Sequence, residues 1–319
     1  MQVLGFKKII NYIITLWVQI RDLYLYIFRH AIIVNGYVDD HTWRGIRHRN
    51  WGDDLNYYFL KELTKRPVVF YHNFIMARCF HLRNYMCIGT VLDNYVSRCN
   101  NKTVVWGTGS VGIKWVFDNP YKVCALRGAY TYRFLKSNKI ECPAVYGDPA
   151  LLLPLVYKFH VSRSKLQEET PMYRLGIIPH VVDMHHPVIE EIRKNHADEI
   201  LIIDLAHYDK WTDVIDQICS CERIFSSSLH GIITSDAYGV PNCWIELTGK
   251  ISGGHFKYYD YASSVDRQFE KPIQIDKTTD IANLADSIFS CADREKIKEL
   301  QQGLLAVAPF KCKALKGEK

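Results

Sequence analysis

The sequence predicts an α/β protein of about two domains, each built on a parallel sheet. Three observations carry this. With 319 residues the chain is long enough for about two domains that each bury a core. From Val68 to Leu247, short apolar runs alternate with helical stretches, the rhythm of parallel strands joined by crossover helices. The segment Glu222 to Leu247, ERIFSSSLHGIITSDAYGVPNCWIEL, reads as a complete βαβ unit.

Composition narrows the function classes. A hydrophobic fraction of 48% with 23% charged residues is that of a soluble α/β chain. The net charge of +6 suits an anionic substrate or a membrane surface, and no Lys/Arg run is dense enough to argue for nucleic acid. Ten cysteines are scattered and no cleavable signal peptide precedes them, so reduced thiols in the cytoplasm are expected. Cys219 and Cys221 have no second pair at zinc-ribbon spacing and are read as core or helix-end residues.

Residues 1–34 open the chain with an amphipathic helix. Ile9, Ile13, Leu16, Ile20, Tyr24 and Ile27 share one face at helical spacing. The uncharged run from Ile9 to Ile20 is too short to span a bilayer before Arg21 and Asp22. Trp17, Tyr24 and Tyr26 are interfacial residue types. Two readings stand: a helix lying on the membrane surface, or one docked by its apolar face on the protein's own core.

A loop rich in charge and aromatics, Asp39 to Trp51, delivers NWGDDLN, Asn50 to Asn56, at the start of an apolar-periodic helix. Asp53 and Asp54 either cap that helix or face a cleft, where one of them would serve as general base for a hydroxyl. Strands follow at Val68 to Tyr71, Tyr85 to Gly89, Thr103 to Trp106 and Tyr121 to Leu126, then a helix from Ala129 to Asn138. Gly107-Thr108-Gly109-Ser110 leaves a strand end, where missing side chains let backbone amides approach a ligand. Arg127 follows the next strand and is expected at the cleft edge, suited to a carboxylate or phosphate. Asp148-Pro149 is a helix start with Asp at the N-cap, a role that suffices for Asp148.

Polar residues 155–172 are the expected linker, and the rhythm then resumes. Leu175 to Pro179 is a strand ending at His180, Pro187 to His196 a helix, Ile200 to Leu205 a strand and Trp211 to Cys221 a helix. His180, Asp183, His185 and His186 are metal-ligand types, but they lack the fixed spacing of a catalytic zinc site, and His180 is read as cleft-lining instead.

In the βαβ unit, Ser227 and Ser228 are N-cap types, the helix opens near Leu229, and Gly239-Val240-Pro241 stops it. His230 therefore sits at a helix N-terminus, where N–H groups and the dipole favour an anion. It either contacts or protonates a bound phosphate, or merely bonds to its own backbone. Further on, Gly253-Gly254 leads into His255-Phe256-Lys257 and an aromatic run ending in Asp260-Tyr261, read as a substrate loop or a packed strand. The tail, Thr279 to Leu305, is read as amphipathic helix.

Seven motifs in this order resemble those of the polysaccharide pyruvyl transferases. They are NWGDDLN, VVWGTGS (Val104 to Ser110), ALRGAYTYRFL (Ala125 to Leu135), YGDPALLLP (Tyr146 to Pro154), GIIPHVVD (Gly176 to Asp183), SSSLHGIITSDAYGVP (Ser226 to Pro241) and FKYYDY (Phe256 to Tyr261). The resemblance covers about two thirds of the chain, and residues 1 to about 45 carry no motif of the family. It implies a GT-B-like fold, two Rossmann-like halves with a cleft between them. That divides the chain into the helix at 1–34, an acceptor-side domain at 35–160 and a donor-phosphate-side domain at 161–319 with a C-terminal helix.

The resemblance also implies a reaction, transfer of the pyruvyl group of phosphoenolpyruvate to two sugar hydroxyls as a cyclic ketal. His230, with Ser228, would hold the phosphate or protonate the donor, and Arg127 and Lys257 would neutralise it. Asp53 or Asp54 would orient or deprotonate the hydroxyl, and Gly107, Gly109 and His180 would line the cleft. No metal or cofactor is called for. The expected acceptor is a sugar, lipid-linked by the logic of glycan assembly, with residues 1–34 touching the inner face of the cytoplasmic membrane. The rival reading is a glycosyltransferase of the same fold using a nucleotide sugar, and a noncatalytic sugar-binding protein stands behind it.

Overall fold

The computed structural model describes residues 2–38, 46, 47, 50–93, 98–159, 173–251, 254–276, 279 and 288–316. Most of the loop at 39–49, the centre of the linker at 160–172, Gly253 and residues 280–287 of the tail lie outside the described residues.

Two five-stranded sheets organise the chain, and every strand pair in them is parallel. The first holds β1 (Ile32–Val34), β2 (Val68–Phe70), β3 (Asn84–Met86), β4 (Thr103–Trp106) and β5 (Lys122–Ala125), in the order β2-β1-β3-β4-β5. The second holds β6 (Leu175–Ile178), β7 (Ile200–Ile202), β8 (Ile224–Ser226), β9 (Asn242–Glu246) and β10 (Ile273–Gln274), in the order β10-β9-β8-β6-β7. Taken from its first strand, each sheet has the same topology. Where such an order reverses, a crevice opens at the carboxyl ends of the strands. One crevice therefore lies beyond β1 and β3, the other beyond β6 and β8.

The helices are α1 (Gln2–Arg29), α2 (Trp51–Thr64), α3 (Ile75–Cys79), α4 (Ala129–Ser137), α5 (Leu153–Val156), α6 (Pro187–Asn195), α7 (Trp211–Cys219), α8 (Leu229–Tyr238), α9 (Phe256–Ala262) and α10 (Arg294–Ala306). Local chemistry fixes their ends. Asn50 caps α2 by accepting from Gly52 N, and Gly239 closes α8 in the left-handed conformation at φ 75°. α8 is buried from Leu229 through Asp236, because it packs between the second sheet and the Pro149–Val156 segment of the first half. α10 follows the second sheet in sequence but packs on the first half: Trp106 Nε1 donates to Leu304 O at 3.0 Å and Gln301 Nε2 to Leu151 O at 2.7 Å.

Four readings of the sequence are corrected. Residues 32–34 belong to an interior strand of the first sheet, because IIV is buried on both faces and pairs in register with Val68–Phe70. The His255–Tyr261 run is the helix α9, neither strand nor open loop. The tail helix starts at Arg294, where Asp293 caps it by accepting from Glu295 N and Lys296 N, while Ser290 bridges to Asn242. Finally, α1 does not dock through its apolar stripe. Among its described side chains Val18 and Asp22 are buried, Leu23, Leu25 and Tyr26 pack half-buried against the first half, and Gln19 anchors it by donating to Asn73 O at 2.6 Å and accepting from Ile75 N at 2.8 Å. Ile9, Ile13, Leu16, Ile20, Tyr24 and Ile27 are exposed.

Candidate active site

The two crevices meet through the first turn of α2. Trp51 N donates to Leu205 O at 2.7 Å and Trp51 Nε1 to Trp211 O at 2.7 Å, which ties this turn to the second half. Gly52 lies against the imidazole of His230 at the start of α8, so close that a Cβ would overlap the ring. Asp53 points toward the loop after β3, where a Cβ on Gly89 would stand 3.3 Å from its Oδ1. Asp54 is buried and accepts from Tyr208 OH at 2.6 Å. Successive residues of one helical turn thus face three different neighbours. That separates the two aspartates: Asp53 turns toward the loop after β3, and Asp54 fastens α2 to the loop after β7.

The carboxyl ends of β6 and β8 bring His180 and Ser227 together beside the start of α8, which carries Ser228 and His230. His180 leaves β6 and caps a short 3-10 turn, with Nδ1 accepting from Val182 N, while its own N–H donates to Ser227 Oγ at 2.8 Å. Ser227 O in turn accepts from Tyr258 OH at 2.7 Å, locking α9 to the end of β8. Ser228 is the N-cap residue of α8 but makes no side-chain cap bond; Ser226 Oγ takes Ser228 N at 3.1 Å and donates to Ser228 O at 2.8 Å. His230 is nearly buried, and its Nε2 has no hydrogen-bond partner among the described residues.

Arg127 departs from expectation. It is fully buried, with an exposure of 0%, and does not stand at a cleft edge. Its Nε donates to Asp260 Oδ2 at 3.0 Å, one terminal nitrogen to Thr90 Oγ1 at 2.6 Å and the other to Ser110 O at 3.4 Å. Gly109 is needed beneath it, since a Cβ there would overlap the guanidinium. Gly107 likewise faces protein rather than open space. It sits at φ 87°, and a Cβ would overlap Pro149.

Asp260 is the residue that the sequence reading left unassigned. Its Oδ1 accepts from Thr131 N at 2.8 Å and its Oδ2 from Thr131 Oγ1 at 2.7 Å, so it caps α4, whose own N-cap residue, Gly128, has no side chain. Gly128 is required because the Asp260 carbonyl occupies the place of a Cβ. The available signal was spacing. Lys257 and Asp260 are three apart in a segment that is helical, which sets both on the α9 face turned to the first half.

Electrostatics follows from this burial. Desolvation pushes the Asp53 carboxyl up to about 7, helped by Asp54 and opposed by Lys257 and the Asn50 hydrogen bond. Lys257 is lowered to about 8 by burial and by Arg127, with Asp53 pulling it back. His230 is lowered to about 3 by burial, then by Arg127, Lys257 and His180. His180 is lowered to about 4 by burial and Lys257. Both imidazoles are therefore neutral at pH 7. An arriving anion would offset the part of this lowering that comes from the neighbouring cations, though not the larger part that comes from burial.

Asp148 caps its 3-10 turn by accepting from Ala150 N at 3.0 Å and is pushed up to about 7 by burial. His186 caps α6 and His185 is exposed beside Glu190, so neither joins His180 at the crevice. Among the described residues, no group of three or more His, Cys, Asp or Glu is placed to hold a metal ion.

Comparison with known proteins agrees with the family resemblance, but the match begins earlier in the chain than the motifs and ends before the last of them. The family model described as "Polysaccharide pyruvyl transferase" matches residues 7–248. An uncharacterized protein, L143, of Acanthamoeba polyphaga mimivirus is 31% identical over 217 residues, 67% of this chain and 70% of its own. The succinoglycan biosynthesis protein ExoV of Rhizobium meliloti (strain 1021) is 23% identical over 228 residues, 69% of this chain and 62% of its own. No solved structure matches.

Proposed function

Because the chain belongs to the polysaccharide pyruvyl transferase family, we propose that it transfers the pyruvyl group of phosphoenolpyruvate to two hydroxyls of a sugar, giving a cyclic ketal and inorganic phosphate. The single observation that carries the assignment of roles is the contact of Gly52 with the His230 ring, which brings the Asp53 turn of α2 to the start of α8, with Lys257 near enough to act on the ionisation of both Asp53 and His230. Lys257 supplies charge to the donor's phosphate and carboxylate, and the buried Arg127 adds its field without direct contact. Asp53, poised near neutrality, takes the proton of the attacking hydroxyl. His230 is neutral until the donor's charge arrives and then carries the proton that C3 of the donor must gain.

Atoms and charges balance. The first hydroxyl adds to C2 as C3 is protonated, the C2–O bond to phosphate breaks, and the second hydroxyl closes the ketal. Of the two hydroxyl protons, one is made good at C3 and the other leaves with phosphate. Ser228 and His180 frame the phosphate at the start of α8. Fixed cations do the neutralising, so the scheme uses no cofactor or metal.

The acceptor in this proposal is a lipid-linked sugar, and the enzyme works in the cytoplasm with residues 1–34 against the membrane. A relative named for succinoglycan biosynthesis supports placing the reaction in exopolysaccharide assembly. No helix among the described residues is long and apolar enough to cross a membrane.

The test is phosphate release from phosphoenolpyruvate with a panel of lipid-linked and synthetic galactosides, glucosides and N-acetylmannosaminides. Release that depends on acceptor, with the mass gain of a pyruvate ketal on the sugar and collapse in His230→Ala and Lys257→Gln, is expected. Binding of a nucleotide sugar but not of phosphoenolpyruvate would replace this reading with glycosyl transfer.

A further inference from the structure

α1 is anchored by one edge and leaves its apolar side outward. Tyr12 is 72% exposed, Ile20 61% and Phe28 67%. Exposed apolar residues span roughly 160° of the helix at 100° per residue. A two-stranded coiled coil would need only a narrow seam.

The outward face does not end with α1. Gln19 binds the backbone at both Asn73 and Ile75, so the start of α3 is held against the middle of α1. α3 and the residue after it expose Ile75, Met76 and, at 65%, Phe80. The exposed charges within these two segments have one sign. Lys8, Arg29, Arg78 and Arg83 are exposed. Within 8–29 and 75–83 the sole carboxylate is Asp22, which is buried and paired with Arg21 at 2.7 Å. An apolar face that carries aromatic residues and whose own exposed charges are cations is complementary to anionic lipid.

We propose that α1 and α3 together form a surface that docks the protein onto anionic phospholipid. This deepens the membrane placement proposed above, giving it a second element and a lipid charge. Lipid binding itself can be measured whether or not pyruvyl transfer proves right.

The test uses the full chain, sedimented with phosphatidylcholine vesicles that do or do not contain phosphatidylglycerol. The wild type is expected to sediment with the anionic vesicles and to be released by salt. Each exposed cation is worth about fivefold in partition near such a surface. Ile13→Asp/Ile20→Asp should lower the bound fraction roughly tenfold or more, and Arg78→Glu/Phe80→Asp should also weaken it. Both variants alter exposed positions, and an unchanged circular dichroism spectrum and melting temperature will show that they fold.

Equal binding to neutral and anionic vesicles, or α1 and α3 variants that bind like the wild type, would overturn the proposal. So would a wild-type dimer that leaves vesicles untouched and is dissociated by the same α1 substitutions, since the face would then join two copies. With a water-soluble acceptor, the variants should release phosphate at the wild-type rate. If no protein releases it while the lipid results stand, the transfer reading has failed and the docking has not.

Discussion

The imidazole of His230 rests on the Cα of Gly52, with no room between them for a methyl group. This contact joins the first turn of α2 to the first turn of α8 and sets the ring's position relative to Asp53, the next residue along. Gly52→Ala must move the ring or the helix. A displacement of about 1 Å in a reacting group can cost on the order of 100-fold in rate, and overpacking costs about 1–3 kcal/mol. Acceptor-dependent phosphate release should therefore fall roughly 100-fold in Gly52→Ala. Gly303→Ala, where a Cβ would stand at an ordinary 3.8 Å from Val145, should leave the rate unchanged.

Arg127 and Asp260 make a further bridge between the halves, a fully buried pair at 3.0 Å. Removing one partner of such a pair costs about 3–5 kcal/mol, so Asp260→Asn should lower the melting temperature by roughly 5–10 °C. Arg127→Lys should not spare stability, because one ammonium cannot reach Asp260, Thr90 and Ser110 from a single stem. Arg127→Gln should also move Lys257. Arg127 lowers the Lys257 pKa, so its loss raises it, and the alkaline limb of kcat/KM shifts to higher pH.

The sequence made the strand–helix alternation legible because parallel strands buried on both faces are continuous apolar runs, as in TVVW at Thr103–Trp106 and NCWIE at Asn242–Glu246. It placed His180 and His230 at strand ends for the same reason. Burial by distant elements was beyond it. Nothing near Arg127 in the chain announces that Asp260 will neutralise it, or that Pro149 will fill the space beside Gly107. β1 was hidden because three apolar residues following a long apolar helix extend its pattern without a break. The equality of Asp53 and Asp54 was likewise local, since only packing shows that one turns to Gly89 and the other to Tyr208.

The pH profile should be a narrow bell. Asp53 must be ionised to accept a proton, so kcat/KM rises as pH passes about 7; Lys257 must be charged to hold the donor, so it falls as pH passes about 8. Stability carries the same signature with a definite sign. Asp53 has a folded pKa above its ordinary 3.8, so its contribution is fully present below that value and is lost as pH rises through about 7. Asp53→Asn cannot ionise, and its melting temperature relative to the wild type should climb between pH 4 and pH 8. A constant difference across that range would show that the carboxyl titrates normally.

Asp54 gives the sharpest test of which aspartate acts. It is the second cause, after burial, of the elevated Asp53 pKa, and it is itself held by Tyr208 OH at 2.6 Å. Asp54→Asn keeps an oxygen for that hydroxyl but deletes the charge. Activity should survive, and the acidic limb of the profile should move to lower pH, because Asp53 ionises more easily without a neighbouring anion. Asp53→Asn should abolish turnover. Tyr208→Phe should leave the limb nearly in place while costing about 1–3 kcal/mol of stability for the buried oxygen deprived of its donor. If Asp54→Asn were the inactive variant and Asp53→Asn the tolerant one, the base would have to be moved to Asp54, and α2 would have to rotate on substrate binding to bring it round.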